Sequence, residues 1–211
     1  MKKTISIIVI ILLFAIPRAE SSEKEKPKGP TPEEWTLKLK IIPETVEEFT
    51  EMRDKVAKTP EGGALMFIAA LNMYAQDNEE GTKALVVAID KQHLSKNKKS
   101  GMYKNYSIRN FYTISQMRHK PYIARSYIDG TSPENSYALG KPPYTVKMFT
   151  TVHSFYHKGR FRIMVHCSGA DSPRPITVRA NKKGIWKAYE YSSLVMGIRK
   201  PVEEDEEDDD L

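Results

Sequence analysis

Residues 59–76 read TPEGGALMFIAALNMYAQ, and the way this stretch folds decides the architecture around it. Thr59 is suited to cap a helix and Pro60 to occupy its first turn, where a missing N–H costs nothing. From Ala64 to Ala75 the residues are apolar on every side except at Asn72. That pattern belongs to a helix buried on most of its faces, so the stretch is expected to be the central element of the core.

Upstream, residues 45–58 place Val46, Phe49, Met52, Arg53 and Val56 at helical spacing, with acids toward the start, where the helix dipole favours negative charge. This is an amphipathic surface helix. Downstream, a third helix is expected from about Glu79 to Asp90, with Ala84, Leu85, Val87, Ala88 and Ile89 as its buried stripe. Lys96 to Gly101 breaks the pattern, and Tyr106 to Met117 resumes it through Ile108, Phe111, Tyr112 and Ile114, which gives a fourth helix.

From Pro121 the grammar changes. Gly130, Pro133, Gly140, Pro142 and Pro143 mark 121–143 as a long ordered loop or a set of short helical turns. Beyond it, residues 144–152, 160–167, 176–181 and 185–191 have strand-like composition with partial alternation. Asn181-Lys182-Lys183-Gly184 joins the last two as a hairpin. Helices first and antiparallel strands afterwards imply an α+β domain, with about four helices packed on a sheet of about four strands, and not a parallel α/β sheet.

The ends have a different character. Lys2 and Lys3, an apolar run from Ile5 to Ile16, and small or polar residues at Ala19, Ser21 and Ser22 make the layout of a signal peptide. The run is shorter than the roughly 20 apolar residues that span a bilayer. Cleavage is expected after Ser21, and no cysteine near the cut supports a lipoprotein, so the chain reads as exported, to the periplasm or the exterior. The alternative is an uncleaved anchor. The expected organisation is a signal peptide over 1–21, a flexible polar linker over 22–33, one domain over 34–201 and a disordered acidic tail over 202–211.

Charge divides the chain further. Residues 22–90 carry 9 bases against 14 acids, residues 91–200 carry 21 against 4, and residues 203–210 are eight acids. Between Lys91 and Ile128 there are nine Lys or Arg residues and no acid, interleaved with Tyr103, Tyr106, Phe111, Tyr112, Tyr122 and Tyr127. Cations among aromatics suit phosphate-rich or single-stranded nucleic acid, and they equally suit an anionic lipid surface or cell-wall polymer. The plainer reading has the aromatics facing the core and the lysines merely solvated. Export argues against nucleic acid as the partner.

Sites for chemistry are sparse. Cys167 is the only cysteine, which excludes an intramolecular disulfide and reads as a small buried hydrophobe on a strand. His166 beside it would point to the opposite face of a strand. His153 and His157 have the spacing H-x-x-x-H, yet in strand-like surroundings they stand about 13 Å apart, too far for one metal unless a turn intervenes. The sequence has no G-x-S-x-G elbow, P-loop or G-x-G-x-x-G. No catalytic residue, metal ligand or cofactor is assigned.

Three stretches carry a resemblance: PYIARSYIDGTSPENSY from Pro121, SGADSPRPITVR from Ser168, and W-x-x-x-E-Y-S-S-L-x-x-G-I-R-K-P from Trp186. They resemble the C-terminal signature of a bacterial family of uncharacterised proteins, and the likeness extends upstream to cover about residues 59–201. The resemblance implies no activity, ligand or catalytic residue. Read physically, the signature contains polar groups that packing alone does not require, namely Arg125, Tyr127 through its hydroxyl, Glu134, Asn135, Asp171, Arg174, Glu190 and Arg199. Either they form buried ion pairs that lock the 121–143 loop onto the sheet, or they line a ligand pocket. The leading functional reading is a non-catalytic exported domain of the bacterial envelope whose basic face binds an anionic polymer, a lipid surface or a protein. The alternative is a hydrolase or transferase of novel type using Asp171 or Glu190 in a cleft closed by the 121–143 loop.

Overall fold

The computed structural model describes residues 31–154 and 158–202. Helix α2, Pro60–Gln76, is the spine of the molecule. Thr59 accepts a hydrogen bond from the Gly62 N–H at its start, and every residue from Gly62 to Tyr74 is buried. Around it stand α1 (Val46–Val56), α3 (Asn78–Ala88) and the single turn α5 (Tyr122–Arg125). On its other side lies a five-stranded antiparallel sheet of order β1-β4-β5-β6-β7. Its strands are β1 (Glu34–Leu39), β4 (Tyr144–Phe149), β5 (Arg160–Val165), β6 (Arg174–Ala180) and β7 (Trp186–Glu190). The fold class is the expected α+β, with one strand more than the sequence indicated.

The packing around α2 is close enough to specify glycine twice. A Cβ on Gly63 would stand 2.6 Å from the Trp186 Cβ of β7, and one on Gly81 would stand 2.1 Å from the Tyr74 Cα. The first contact seats the helix on the sheet, and the second lets α3 lie against α2 after a connection of one residue. That residue, Asp77, caps α3 by accepting from the N–H groups of Glu79 and Glu80. Asn72, the one polar break in the apolar run, donates from Nδ2 to the Ile68 and Ala124 carbonyl oxygens at 3.0 and 3.1 Å. It thereby ties α2 to α5 across the core.

Two expectations need correction. The fourth helix over 106–117 does not form. Tyr106–Ile108 is instead strand β3, paired antiparallel with β2, Leu94–Lys96. Only the turn α4, Tyr112–Ser115, and a 3-10 turn over Gln116–His119 follow. The reason lies in the flanks, because Lys104, Asn105 and Asn110 all take positive φ, which tightens the hairpin and stops helical propagation on either side of the strand. The second correction is β1. Its burial alternates, and it pairs along β4 from Glu34↔Phe149 to Leu39↔Tyr144. Just before it, the Glu33 N–H donates to Thr150 Oγ1 and the Thr150 N–H to the Glu33 carbonyl, so the last residue assigned to a flexible linker is fixed to the sheet. The expected signal peptide, the expected linker up to residue 30, His157 and the acidic run from residue 203 lie outside the described residues. Among the described residues, no helix is long and apolar enough to cross a membrane.

Candidate functional site

Four of the signature residues, Tyr127, Asp171, Arg174 and Arg199, meet at the segment that follows β7. Tyr127 is buried, and its hydroxyl donates to the Leu194 carbonyl at 2.8 Å. Burial, with Cys167 adding to it, pushes that phenol well above its ordinary pKa. The Tyr137 hydroxyl donates to the Arg199 carbonyl, and Arg174 Nη2 donates to the Gly197 carbonyl at 2.6 Å. The Arg199 N–H donates to the Gly169 carbonyl, and the Val202 N–H to the Pro133 carbonyl. Asn135 closes its own turn, donating to the Gly130 carbonyl and accepting from the Ser132 N–H. Glu134 is exposed, and hydrogen bonds from Ser132 and its own N–H hold its carboxyl below the usual range. Arg125 ends α5 with its Nε buried and without a hydrogen-bond partner among the described residues.

These contacts clasp residues 194–202 onto the 121–143 loop and the 168–174 turn, mostly through side chains bound to backbone carbonyls. They are not buried ion pairs. The one ion pair in the group, Arg199 to Asp171 at 3.1 Å, has side chains 57% and 94% exposed and is worth about 0–1 kcal/mol. Asp171 borders neither the hollow beside Glu190 nor the cleft beside Cys167. Glu190 borders a hollow of about 250 Å3, where it accepts a hydrogen bond from the Thr177 hydroxyl at 2.8 Å.

A second feature arises where the sheet splits. Strands β4 and β5 pair directly only at Met148↔Val165 and Phe149↔Met164. Beyond that point residues 126–131 wedge between them, with the Asp129 N–H on the Thr145 carbonyl and the Ser168 N–H on the Ser126 carbonyl. The split opens a cleft of about 320 Å3 lined by Ser126, Thr131, Lys147, His166, Cys167 and Ser168 among others. Cys167 is half-buried, not fully buried, and lies beyond the end of β5. It therefore escapes the strand alternation that would have aimed it away from His166. Even so, its thiol donates to Ser126 Oγ at 3.3 Å, while Ser126 Oγ donates to the Ile123 carbonyl and Ser168 Oγ to the Ser126 carbonyl. These hydroxyls hold the wedge in place, and no base among the described residues stands within hydrogen-bond reach of them or of the thiol.

The third feature is the face of the sheet turned away from α2. Cross-strand partners share a face, and the buried set Leu37, Val146, Ile163, Ile176 and Ala188 with its partners points at the helices. The opposite face carries Lys38, Lys147, Arg160, Arg162, Arg179 and Lys187, against Glu34 and Glu190 among the strand residues. Arg160, Arg179 and Lys187 are direct neighbours in one row across β5, β6 and β7, an arrangement that like charges disfavour. Burial first, and then the Arg53 guanidinium nearby, pull the Lys187 ammonium down to about 8.

A family profile described as a domain of unknown function, DUF6935, matches residues 41–202. The chain belongs to this family. No curated protein and no solved structure matches it. The DUF6935 match takes in the clasp, the split and four strands of the basic face, and it begins after β1. The sequence singled out the clasp residues, because their polar groups had no packing purpose. It missed the sheet face, whose cations are spread singly through β1, β4, β5, β6 and β7 and become a row only through register.

Proposed function

We propose that the DUF6935 domain of this chain is a non-catalytic binding module, exported from the cell, that holds an anionic polymer of the envelope against the uncovered face of its sheet. The observation that carries this reading is the excess of cations on that face, six from the strands against the strand acids Glu34 and Glu190 and the Asp90 and Asp129 carboxylates that pair with Arg179 and Lys147, with three cations adjacent in one row. A polymer fits better than a bilayer. Interfacial binding needs apolar side chains to insert, and the exposed large hydrophobics Ile41, Tyr112, Val152, Met196 and Val202 all lie outside the strands. A solvated polymer also fits better than single-stranded nucleic acid. Of the aromatics among residues 91–128, Tyr103, Tyr106, Phe111 and Tyr122 pack against the core and Tyr127 is buried in it, which leaves Tyr112 as the exposed ring of that group. Export rests on the Lys2-Lys3 and Ile5–Ile16 layout.

The reading is tested by titrating the protein with heparin across a salt series. Affinity is expected to fall steeply as salt rises. A variant with Arg160, Arg162 and Lys38 changed to Gln should bind weakly and show a shallower slope. Binding by that variant equal to wild type at low salt would place the anion elsewhere.

A further inference from the structure

Within the basic face, Arg160 is built differently from its neighbours. Tyr189 sits at the irregularity where β6 and β7 slip register, between Thr177↔Glu190 and Val178↔Ala188. Its ring lies beneath two guanidinium groups, with the Arg160 carbon 4.0 Å and the Arg179 carbon 5.0 Å from the ring centroid. The His93 ring meets it edge-on at 4.9 Å. A guanidinium stacked this way loses rotational freedom while keeping the donors on its edge.

The two arginines then diverge. Arg179 is committed to Asp90, from Nε at 3.0 Å and Nη2 at 2.6 Å to the two carboxylate oxygens. The Asp90 side chain is only 3% exposed, so that acid is consumed. Arg160 makes no ion pair with any described residue, and its Nε is buried without a hydrogen-bond partner among them. Among the described residues, an oriented guanidinium without an ion-pair partner therefore stands in a row with Arg179 and Lys187, where Asp90 is the buried acid and Asp54 lies near Lys187.

We infer that Arg160, clamped on Tyr189, is the anchor of a subsite for a tetrahedral oxyanion, a phosphate or sulfate group borne by the bound polymer. The inference rests on the anion-binding reading of this face. A carboxylate presents two oxygens, which a single guanidinium fork satisfies. A phosphate or sulfate ester presents more, so it can engage Arg160 and a neighbouring cation of the row together, which is the chemistry this row offers beyond charge.

Calorimetric titration of the full chain with three polymers tests this: polyphosphate, heparin and polyglutamate. The variants are R160K, which keeps the charge and loses the fork, and Tyr189→Leu, which removes the clamp. Wild type is expected to bind polyphosphate and heparin roughly tenfold more tightly than polyglutamate of equal charge, a margin that R160K should reduce to about twofold. Tyr189→Leu should follow R160K while keeping its thermal midpoint within a few degrees of wild type. A preference for polyphosphate over heparin, or the reverse, identifies which ester the subsite takes. If wild type binds all three and R160K binds them equally well, the subsite is overturned and the anion-binding face stands. Equal losses on all three polymers overturn the oxyanion preference. Failure of wild type to bind any of them at low salt overturns the reading of the face itself, and the subsite with it.

Discussion

The two faces of the sheet are built from alternate residues of the same strands, yet they answer to different physics. The covered face is fixed by volume. Along it Ile163, Ile176, Val146 and Val178 are fully buried, and Gly63 of α2 stands where a Cβ would collide with Trp186 of β7. The uncovered face is fixed by charge. Its six cations are long side chains whose arrangement follows from strand register. Substitutions on the first face should therefore be read in stability, and those on the second in binding.

The largest expected effect is in the helical layer that covers the sheet. Gly81→Ala forces a Cβ toward the Tyr74 backbone, which cannot yield without moving α3 off α2. We expect a loss of about 3 kcal/mol or more in chemical denaturation. A loss below about 0.5 kcal/mol would show that the helix pair is looser than described. Next comes the clasp. Tyr127→Phe leaves the buried Leu194 carbonyl without its donor, and should cost roughly 1–3 kcal/mol. By contrast Arg162→Gln, on the uncovered face, should stay within about 0.5 kcal/mol of wild type while weakening heparin binding.

How much of this was legible in the sequence follows from the same division. The central helix was readable because capping, proline placement and an apolar run converge on residues 59–76, all local signals. Strands β4 to β7 were readable from alternation and from the Asn181–Gly184 turn. Strand β1 was not, because a lone edge strand beside a polar, proline-rich segment acquires its partner only from β4, more than a hundred residues away. Residues 106–108 imitated helical spacing because Ile108, Phe111 and Ile114 are all partly or fully buried, though on different elements. The clasp residues could be named but not given partners, since most bind backbone carbonyls, which leave no trace in side-chain identity. The basic face was hidden because long-range register is not written in composition.

Smaller effects sharpen the comparison. Lys187 is flanked by Arg53, Asp90 and Asp54 and shares its row with Arg179. Its pKa is lowered in the folded state to about 8 from an ordinary value of 10.5, so between those two pH values the unfolded chain binds the extra proton. Stability should therefore rise as pH climbs from about 8 toward 10.5, and the rise should be reduced in Lys187→Met. Heparin affinity should fall as pH rises through about 8, where the folded row loses that charge. The smallest effect concerns the acidic run Glu203–Asp210. If it competes for the basic face, truncation after Pro201 tightens heparin binding a few-fold at low salt, with the gain vanishing at high salt. Equal affinities at low salt would leave that run a solubilising role.

The central claim is that the uncovered sheet face holds the anion. Titration of isotope-labelled protein with a short heparin fragment, followed by amide and arginine side-chain NMR shifts, tests it most directly. The largest changes are expected at Arg160, Arg162, Arg179 and Tyr189, with the Cys167 cleft and the 97–105 turn little changed. Shifts concentrated on Lys98, Lys99 and Lys104, with the β5–β7 row unmoved, would contradict the account.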